Sequence, residues 1–481
     1  MPMKRTAEPL ERRPGGVVAM IALADVPARF PPDRPALIHG DQRWTWGEFD
    51  RRSADWAAWL AARGVVADDL VAFAFGNDPE FLALAFGIYR AGATPAPISP
   101  KLPDFERAAI LATMQPRIFV GSDDRPSEGG PVPPRHISAS WKACTSGGST
   151  GAPKVIVDGR AASFADGAEF IGIPADSAVL IPGPLYHNAS FSAAVFALLR
   201  GNAVVTMPRF DAEAALAVIA AERITWSIMV PTMLHRLWKL PPETRDRHDL
   251  SCWQMVVHTA APMAPWLKHA WIDWFGPDHI WEVYGATEGL VRCWIGGGEW
   301  LERPGSVGRP IGGGRLRIVD AAGTEVPAGT DGEVYALPPG GPGSTYRYIG
   351  AERRALADGW ESVGDIGHVD ADGYLYLADR RTDLIISGGI NIWPAEVEAA
   401  ILRHPSVESC AVVGRADDDL GQVVHAVVET ADKRFDLAGL VAFLGGYLVR
   451  TKHPRSLSLQ ATPVRDDAGK FRKTASVEEP R

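Results

Sequence analysis

Between residues 34 and 120 the chain switches repeatedly between two hydrophobic periods, and few architectures accept that alternation. The segment "WTWGEFDRRSADWAAWLAARGV" (44–65) repeats apolar residues at helical spacing, with Phe49, Trp56, Trp59 and Leu60 on one face. "LVAFAFG" (70–76) is a short continuous apolar run, as a strand buried on both faces requires, and "PEFLALAFGIYRAGA" (79–93) returns to a helix. Strand, helix and strand in that order predict parallel pairing with helices on the sheet's faces. The pattern resumes in "FDAEAALAVIAAERITWSIMVPTMLHRL" (210–237) and "CWQMVVHTAAPM" (252–263). The expected fold class is therefore α/β.

At 481 residues the chain exceeds what one core can serve, so two or three domains are expected. After about residue 300, Gly, Pro and Val become frequent and short strands separated by turns dominate, as in "GRLRIVDAAGTEVPAGTDGEVYAL" (314–337). From about 383 a smaller unit appears, with "PAEVEAAILRHPSV" as helix and "SCAVVGRA" and "VVHAVVET" as strands. The boundaries adopted are 1–380 for a large N-terminal domain, its β-rich subdomain spanning about 300–380, and 381–481 for a small α+β domain. "GSDDRPSEGGPVPP" (121–134) reads as a loop or linker.

A net charge of −9 without a long basic run disfavours nucleic acid or an anionic membrane as partner. Cys144, Cys252, Cys293 and Cys410 stand far apart with no CxxC pair, which suits a reducing cytosol rather than a disulfide framework. Only Val17 to Ala24 is continuously apolar near the start, so an amphipathic first helix is expected there rather than a signal peptide. Ser177 to Leu199 lacks charge but is broken by Pro182-Gly183-Pro184 and His187-Asn188, which argues against a membrane span. The expected setting is the cytoplasm. Nine of the sixteen tryptophans fall between Trp226 and Trp300, and packing explains them better than an aromatic cage.

"KACTSGGSTGAPKVI" (142–156) holds glycines, hydroxyls and two lysines before a strand-like run, a composition that suits an anion nest. It fails the GxxxxGK[ST] phosphate-loop pattern, since Ala152-Pro153 follow Gly151, and a P-loop NTPase is thereby excluded. "YGATEG" (284–289) supplies a ring that can stack on a base, a hydroxyl for a phosphate and a carboxylate for a hard cation. "SVGDIGHVDADGYLYLADRRTDLIISGGINIWPAEVE" (362–398) places Asp365 and Arg380 near the domain junction, and "DDAGKFRKTA" sets Lys470 beside Gly469.

Together these segments resemble the adenylate-forming superfamily of acyl-CoA synthetases, peptide-synthetase adenylation domains and luciferases. The likeness runs from "PPDRPALIHGDQRWTWGEFD" to the terminal "GK". "GPLYHNASF", "SGGINIWPAEVEAAILRHPSV" and "RADDDLGQVVHAVV" look most like bacterial ligases that activate bile acids, steroid side chains or aromatic acids.

The resemblance implies that a carboxylate attacks the α-phosphate of ATP, giving an acyl-adenylate and pyrophosphate, and that the acyl group then passes to the CoA thiol. It implies that Ser146, Gly147, Gly148, Ser149, Thr150 and Gly151, with Lys154, wrap the β- and γ-phosphates. Thr287 would bind the α-phosphate and Glu288 would hold Mg²⁺. Tyr284 and Gly285 would face one side of adenine and the backbone of Thr259, Ala260, Ala261 and Pro262 the other. Asp365 and Arg380 would serve the ribose, and Lys470 would bridge the carboxylate and α-phosphate. A mobile C-terminal domain would then bring Ser387, Gly388 and Gly389 to the site as the acceptor channel, with His187 as its gate.

The acyl pocket is expected from Tyr186, His187, Phe191, Met233, His258, Val283 and Leu290, stretches without Lys or Arg apart from distal ones. An apolar aromatic, alicyclic or fatty acid is the substrate that implies. Some positions depart from the family pattern. Thr382 stands at the hinge, Asp379 replaces a Gly, "HTAAP" replaces a Gly-Gly-Ala-Pro run, and Leu420 stands where some CoA ligases carry an aromatic residue. The last keeps open an amide synthetase passing the adenylate to an amine, or an enzyme loading a carrier-protein thiol. An intact Lys470, Glu288 and Asp365 argue against a non-catalytic member. A monomer or homodimer is expected.

Overall fold

Thr45 starts the first long helix by a reciprocal cap. The Glu48 N–H donates to the Thr45 hydroxyl at 3.2 Å, and the Thr45 N–H donates back to the Glu48 carboxylate at 2.7 Å. The helix Trp46–Ala62 then buries Phe49, Trp56, Trp59 and Leu60, the face its spacing predicts. With Pro79–Arg90 it covers a parallel sheet ordered Thr94–Pro97, Leu70–Ala74, Ile118–Gly121. The computed structural model describes residues 19–126, 128–146, 153–380, 384–388, 390–466, 469 and 471, the side chains of Ser146, Asp379 and Arg380 excepted.

The central sheet has 14 strands. Pro35–His39, Ala203–Thr206, Ala178–Ile181, Trp226–Met229, Met255–His258 and Ile280–Gly285 lie side by side and parallel in that order. Beyond Gly285 only residues 286–291 connect to Arg292–Gly296. That is too short for a crossover, and the pairing turns antiparallel. The same sheet continues through Ser306–Ile311, Leu375–Arg380, Glu361–Val369, Gly332–Leu337 and Arg315–Val319. The β-rich stretch after residue 300 is thus an extension of the nucleus rather than a sheet of its own.

Strand alternation divides the core into two layers. Val179, Ile181, Val204, Trp226, Ile228, Val257 and Val283 face the helix Asn188–Leu199. Leu180, Val205, Met229, Val256 and Ile280 face the helix Pro265–Phe275 on the other side. The tryptophan-rich segment supplies packing, with Trp226, Trp253, Trp271 and Trp300 fully buried. Near the start, residues 1–18 lie outside the described ones. The expected amphipathic helix is corrected over residues 20–28. Met20–Ala22 is a strand against Ser163–Ala165, and Leu23–Ala28 is a 3-10 turn holding Pro27, which cannot donate to a regular helix. No helix among the described residues is long and apolar enough to cross a membrane.

His258 shows what burial costs. Its ring is fully buried, 3.5 Å from Glu282, whose carboxylate is bound by the buried Lys268. Burial pushes its pKa from 6.5 down to about 3, against the pull of Glu282. The unfolded chain therefore binds a proton below pH 6.5 that the folded chain refuses. Stability is intact above 6.5 and falls by about 1.4 kcal/mol per pH unit below it, until pH nears 3. Urea midpoints at pH 7.5 and pH 5 should separate more for the native chain than for His258→Gln. Equal separations would show that this histidine does not set the acid sensitivity.

The C-terminal unit has a separate core of Ile385, Ile392, Val397, Ile401, Cys410, Val412, Val424 and Val428. Its sheet runs Ile390–Ile392, Ile385–Ser387, Gly421–Glu429, Ser409–Asp417, with Ser456–Gln460 parallel to Gly421–Glu429. It rests on two helices of the larger unit. Lys239 ion-pairs with Glu408 and donates to the Val407 carbonyl at 3.2 Å, and the Trp266 indole donates to the Ala399 carbonyl at 3.1 Å.

Candidate functional site

Parallel sheets leave a crevice at the carboxyl ends of their strands, where the loops converge. Here those ends are followed by Val230-Pro231-Thr232, by Thr259-Ala260-Ala261-Pro262 and by Ala286-Thr287-Glu288-Gly289. The Thr259 hydroxyl ties two of these loops together by donating to the Val283 carbonyl at 2.9 Å. Ala260 has φ +75°, a left-handed conformation that costs an L-residue roughly 1–2 kcal/mol. Ala260→Gly should therefore raise stability by about 1 kcal/mol, seen as a higher urea midpoint. No change would mean that the turn relaxes without strain.

The glycine-rich loop joins Ala143–Ser146 to Lys154–Asp158, and Ser146 opposes Lys154 in the ladder. Gly147, Gly148, Ser149, Thr150 and Gly151 lie outside the described residues, as does the side chain of Ser146. Lys154 does not. Its ammonium lies 3.3 Å from the Glu288 carboxylate and 3.1 Å from the Tyr348 hydroxyl, and that hydroxyl donates to Glu288 at 2.6 Å. Glu288 is only 5% exposed. Burial, reinforced by the Glu288 charge, holds the Tyr348 phenol far above its ordinary pKa of 10, so it stays a donor. A carboxylate, a phenol and an ammonium thus converge from three strands or loops that are distant in sequence. Thr287 is half-buried next to them.

Beside this group the Tyr284 hydroxyl donates to Asp365 at 2.6 Å. Asp365 opposes Arg380 in the antiparallel ladder, so the two backbones are neighbours, while the Arg380 side chain is among those left undescribed. A register shift after Ile366 bends this strand beside the site.

The residues expected to line the acyl pocket do not all converge. Tyr186 and Val283 share one face of the sheet, with His187 as the N-cap residue of the helix Asn188–Leu199 and its ring 4.6 Å from that of Tyr186. Phe191 is fully buried between Phe81 and Trp141, with centroids at 6.0 and 6.2 Å, and acts as core. His258 turns to the opposite face, because its neighbour Val257 takes the pocket side. Leu290 packs with Tyr284 against the β-rich extension. Met233 belongs to the other layer, yet its methyl lies 3.8 Å from where a Cβ at Gly183 would stand, at the base of the loop leading to Tyr186.

Ser387 and Gly388 form the turn of a hairpin that packs on Leu420. The Gly388 N–H donates to the Leu420 carbonyl at 2.9 Å, and Gly389 lies outside the described residues. Lys470 and Thr382 also lie outside them. Gly469 is described. A Cβ there would stand 3.5 Å from Val230 and 3.8 Å from the Thr232 hydroxyl, and Arg465 donates to the Gly469 carbonyl at 3.0 Å. The C-terminal loop therefore reaches the carboxyl end of Trp226–Met229.

Sequence reasoning overlooked Tyr348. Its signal was the Tyr346-Arg347-Tyr348 alternation, which puts both phenols on one face of an edge strand, Tyr346–Ile349, paired with Lys154–Asp158. Tyr348 is thereby delivered beside Lys154, whose ammonium lies 3.1 Å from its hydroxyl.

Residues 23–143 and 141–346 match the AMP-binding enzyme family, and residues 396–460 match the AMP-binding enzyme C-terminal domain. Feruloyl-CoA synthase from Amycolatopsis sp. is 31% identical over 93% of this chain and 96% of its own length. Indoleacetate–CoA ligase from Aromatoleum aromaticum is 30% identical over 87% of this chain and 89% of its own. Among solved structures, o-succinylbenzoate CoA synthetase from Bacillus subtilis, in complex with its acyl-adenylate intermediate, superposes with a TM-score of 0.79 at 24% identity. It covers 96% of this chain and 99% of that one. That likeness is one of fold.

Proposed function

This chain belongs to the AMP-binding enzyme family, and from that premise we propose that it is an AMP-forming carboxylic acid–thiol ligase. It activates an aromatic, alicyclic or fatty carboxylic acid with ATP and transfers the acyl group to CoA. The observation that carries the reading is the closure of Lys154 and Tyr348 onto Glu288 at the carboxyl end of the central sheet. A triphosphate needs cations and neutral donors in one place, and a carboxylate beside them suits a metal ion bound with the phosphates.

The chemistry balances in two steps. A carboxylate oxygen of the acid bonds to the α-phosphorus while the bond to pyrophosphate breaks. The CoA sulfur, as thiolate, then bonds to the acyl carbon while the bond to AMP breaks. Lys154 and the glycine-rich loop hold the outgoing phosphates, and Thr287 donates to the α-phosphate. Asp365, aligned by Tyr284, accepts from ribose hydroxyls with Arg380 in support, while the Tyr284 ring and the Thr259–Pro262 backbone flank adenine. Lys470 neutralises the two anions as they approach. His187 and the Ser387-Gly388-Gly389 segment border the acceptor's path.

Among the described residues no cluster of three His, Cys, Asp or Glu is arranged to hold a metal. Glu288 offers a carboxylate, which fits Mg²⁺, an ion that takes one or two carboxylates and completes its shell with phosphate and water oxygens. Bound there, it would offset phosphate charge. We place the boundary between the catalytic body and the mobile C-terminal domain near residue 380, and read the protein as a cytoplasmic monomer or homodimer.

The test is AMP release from ATP with a panel of aromatic, alicyclic and fatty acids, first with CoA and then with simple amines. CoA-stimulated AMP with a matching acyl-CoA mass is the expected result. AMP indifferent to CoA, with an amide in the mass spectrum, would replace it with an amide synthetase.

A further inference from the structure

The face assigned to the acid carries a cation that no described carboxylate holds. Arg292 opens the strand Arg292–Gly296, one residue beyond the stretch expected to line the pocket, and opposes Gly285 in the ladder. Opposed residues of an antiparallel pair project to the same side. Arg292 therefore shares the face of Val283 and Gly285, and its Cγ lies 3.4 Å from where a Cβ at Gly285 would stand. Its guanidinium lies 5.3 Å from the Phe170 ring, which stacks at 4.5 Å on Phe196 of the helix that follows His187. Among the described residues it makes no hydrogen bond and no ion pair.

Its surroundings are those of a subsite rather than a surface. Arg160 forks onto Asp158 at 2.9 and 2.8 Å. Lys142, only 4% exposed, donates to Asn188 at the start of that same helix and, at 3.0 Å, to Ser192 one turn on, and lies 4.0 Å from Asp158. Asp158 is thus engaged by two cations, and the charge left over is that of Arg292. Burial and the nearby Arg160 both weaken its hold on its proton. The flanks are open, because Gly285 and Gly312 carry no side chains, and a Cβ at Gly312 would stand 4.0 Å from the guanidinium.

We propose that Arg292 ends the acyl pocket and selects an aryl acid bearing an anionic oxygen group, carboxylate or phenolate, remote from the carboxylate that is adenylated. The proposal rests on the reading that this face binds the acid. A planar guanidinium in a half-buried wall grips such a group through two parallel N–H bonds. An acid ending in hydrogen or methyl would desolvate the guanidinium without pairing it, so the discrimination is steep in one direction.

The test is calorimetric binding of 3-phenylpropanoate, its para-hydroxy analogue and its para-carboxy analogue to the native chain, Arg292→Met and Arg292→Lys, with AMP release measured in parallel. The native chain should bind one oxygenated acid about 10- to 100-fold more tightly than the plain one. Which oxygenated acid gains tells carboxylate from phenol. Arg292→Met should abolish or invert the preference, and Arg292→Lys should keep part of it. A native preference for the plain acid, or a variant that weakens every acid and ATP alike, would overturn the assignment. Arginine-dependent binding without AMP from any acid would instead overturn the ligase reading and leave this one standing.

Discussion

Replacing Lys470 with alanine is expected to slow acyl-adenylate formation by about two to three orders of magnitude, while thioester formation from supplied acyl-adenylate is largely retained. Adenylation brings a carboxylate against a phosphate, and the approach of two anions is the part of the barrier an ammonium can lower. In the second step one of those anions is already esterified and the attacking group differs, so the same ammonium has less to offset. The preceding residue, Gly469, stands at φ +76° against Val230 and Thr232. ATP–pyrophosphate exchange reads the first step, and acyl-CoA formation from synthetic adenylate reads the second. Equal losses in both would remove Lys470 from the role assigned to it.

Glu288→Gln should lower turnover by about a hundredfold and weaken its dependence on free Mg²⁺. Glutamine keeps the length of the side chain and can still accept from Lys154 and Tyr348, at 3.3 and 2.6 Å from the native carboxylate. The local packing is thereby preserved and the comparison isolates charge. Rates measured across a magnesium titration give the result, with the thermal midpoint confirming that the variant folds. A curve that superimposes on that of the native chain would dissociate Glu288 from any metal.

Much of the parallel framework was readable because its strands are short apolar runs followed by helical segments, as in Leu70–Ala74 and Pro79–Arg90. The meeting of Glu288 with Lys154, and of Tyr284 with Asp365, joins motifs that the sequence had singled out one by one. Windows of sequence served the acyl pocket less well. In a strand each successive side chain changes face, so naming 258–261 as wall took in His258, which points away, along with its neighbours. Phe191 went astray for a related reason, since the helix Asn188–Leu199 is apolar on all sides and shows no face. Tyr348 and Arg292 owe their positions to strand pairings, and pairings between distant segments leave no mark in either segment alone.

The antiparallel extension that begins after Gly285 makes the binding surfaces separable. Tyr284 and Asp365 stand on strands of one hydrogen-bonded sheet, so neither can shift without breaking a ladder. On the proposed reading the acid meets residues such as Val283 and Arg292, whose side chains can be exchanged without touching that ladder. The unit proposed to meet the acceptor has a core of its own and is held on by a few polar contacts. A chain built this way can change the acid it takes, or the nucleophile it serves, while its treatment of ATP is inherited intact. Divergence in such a lineage should accumulate on one face of the sheet and in the small domain, and be rare where the strands end.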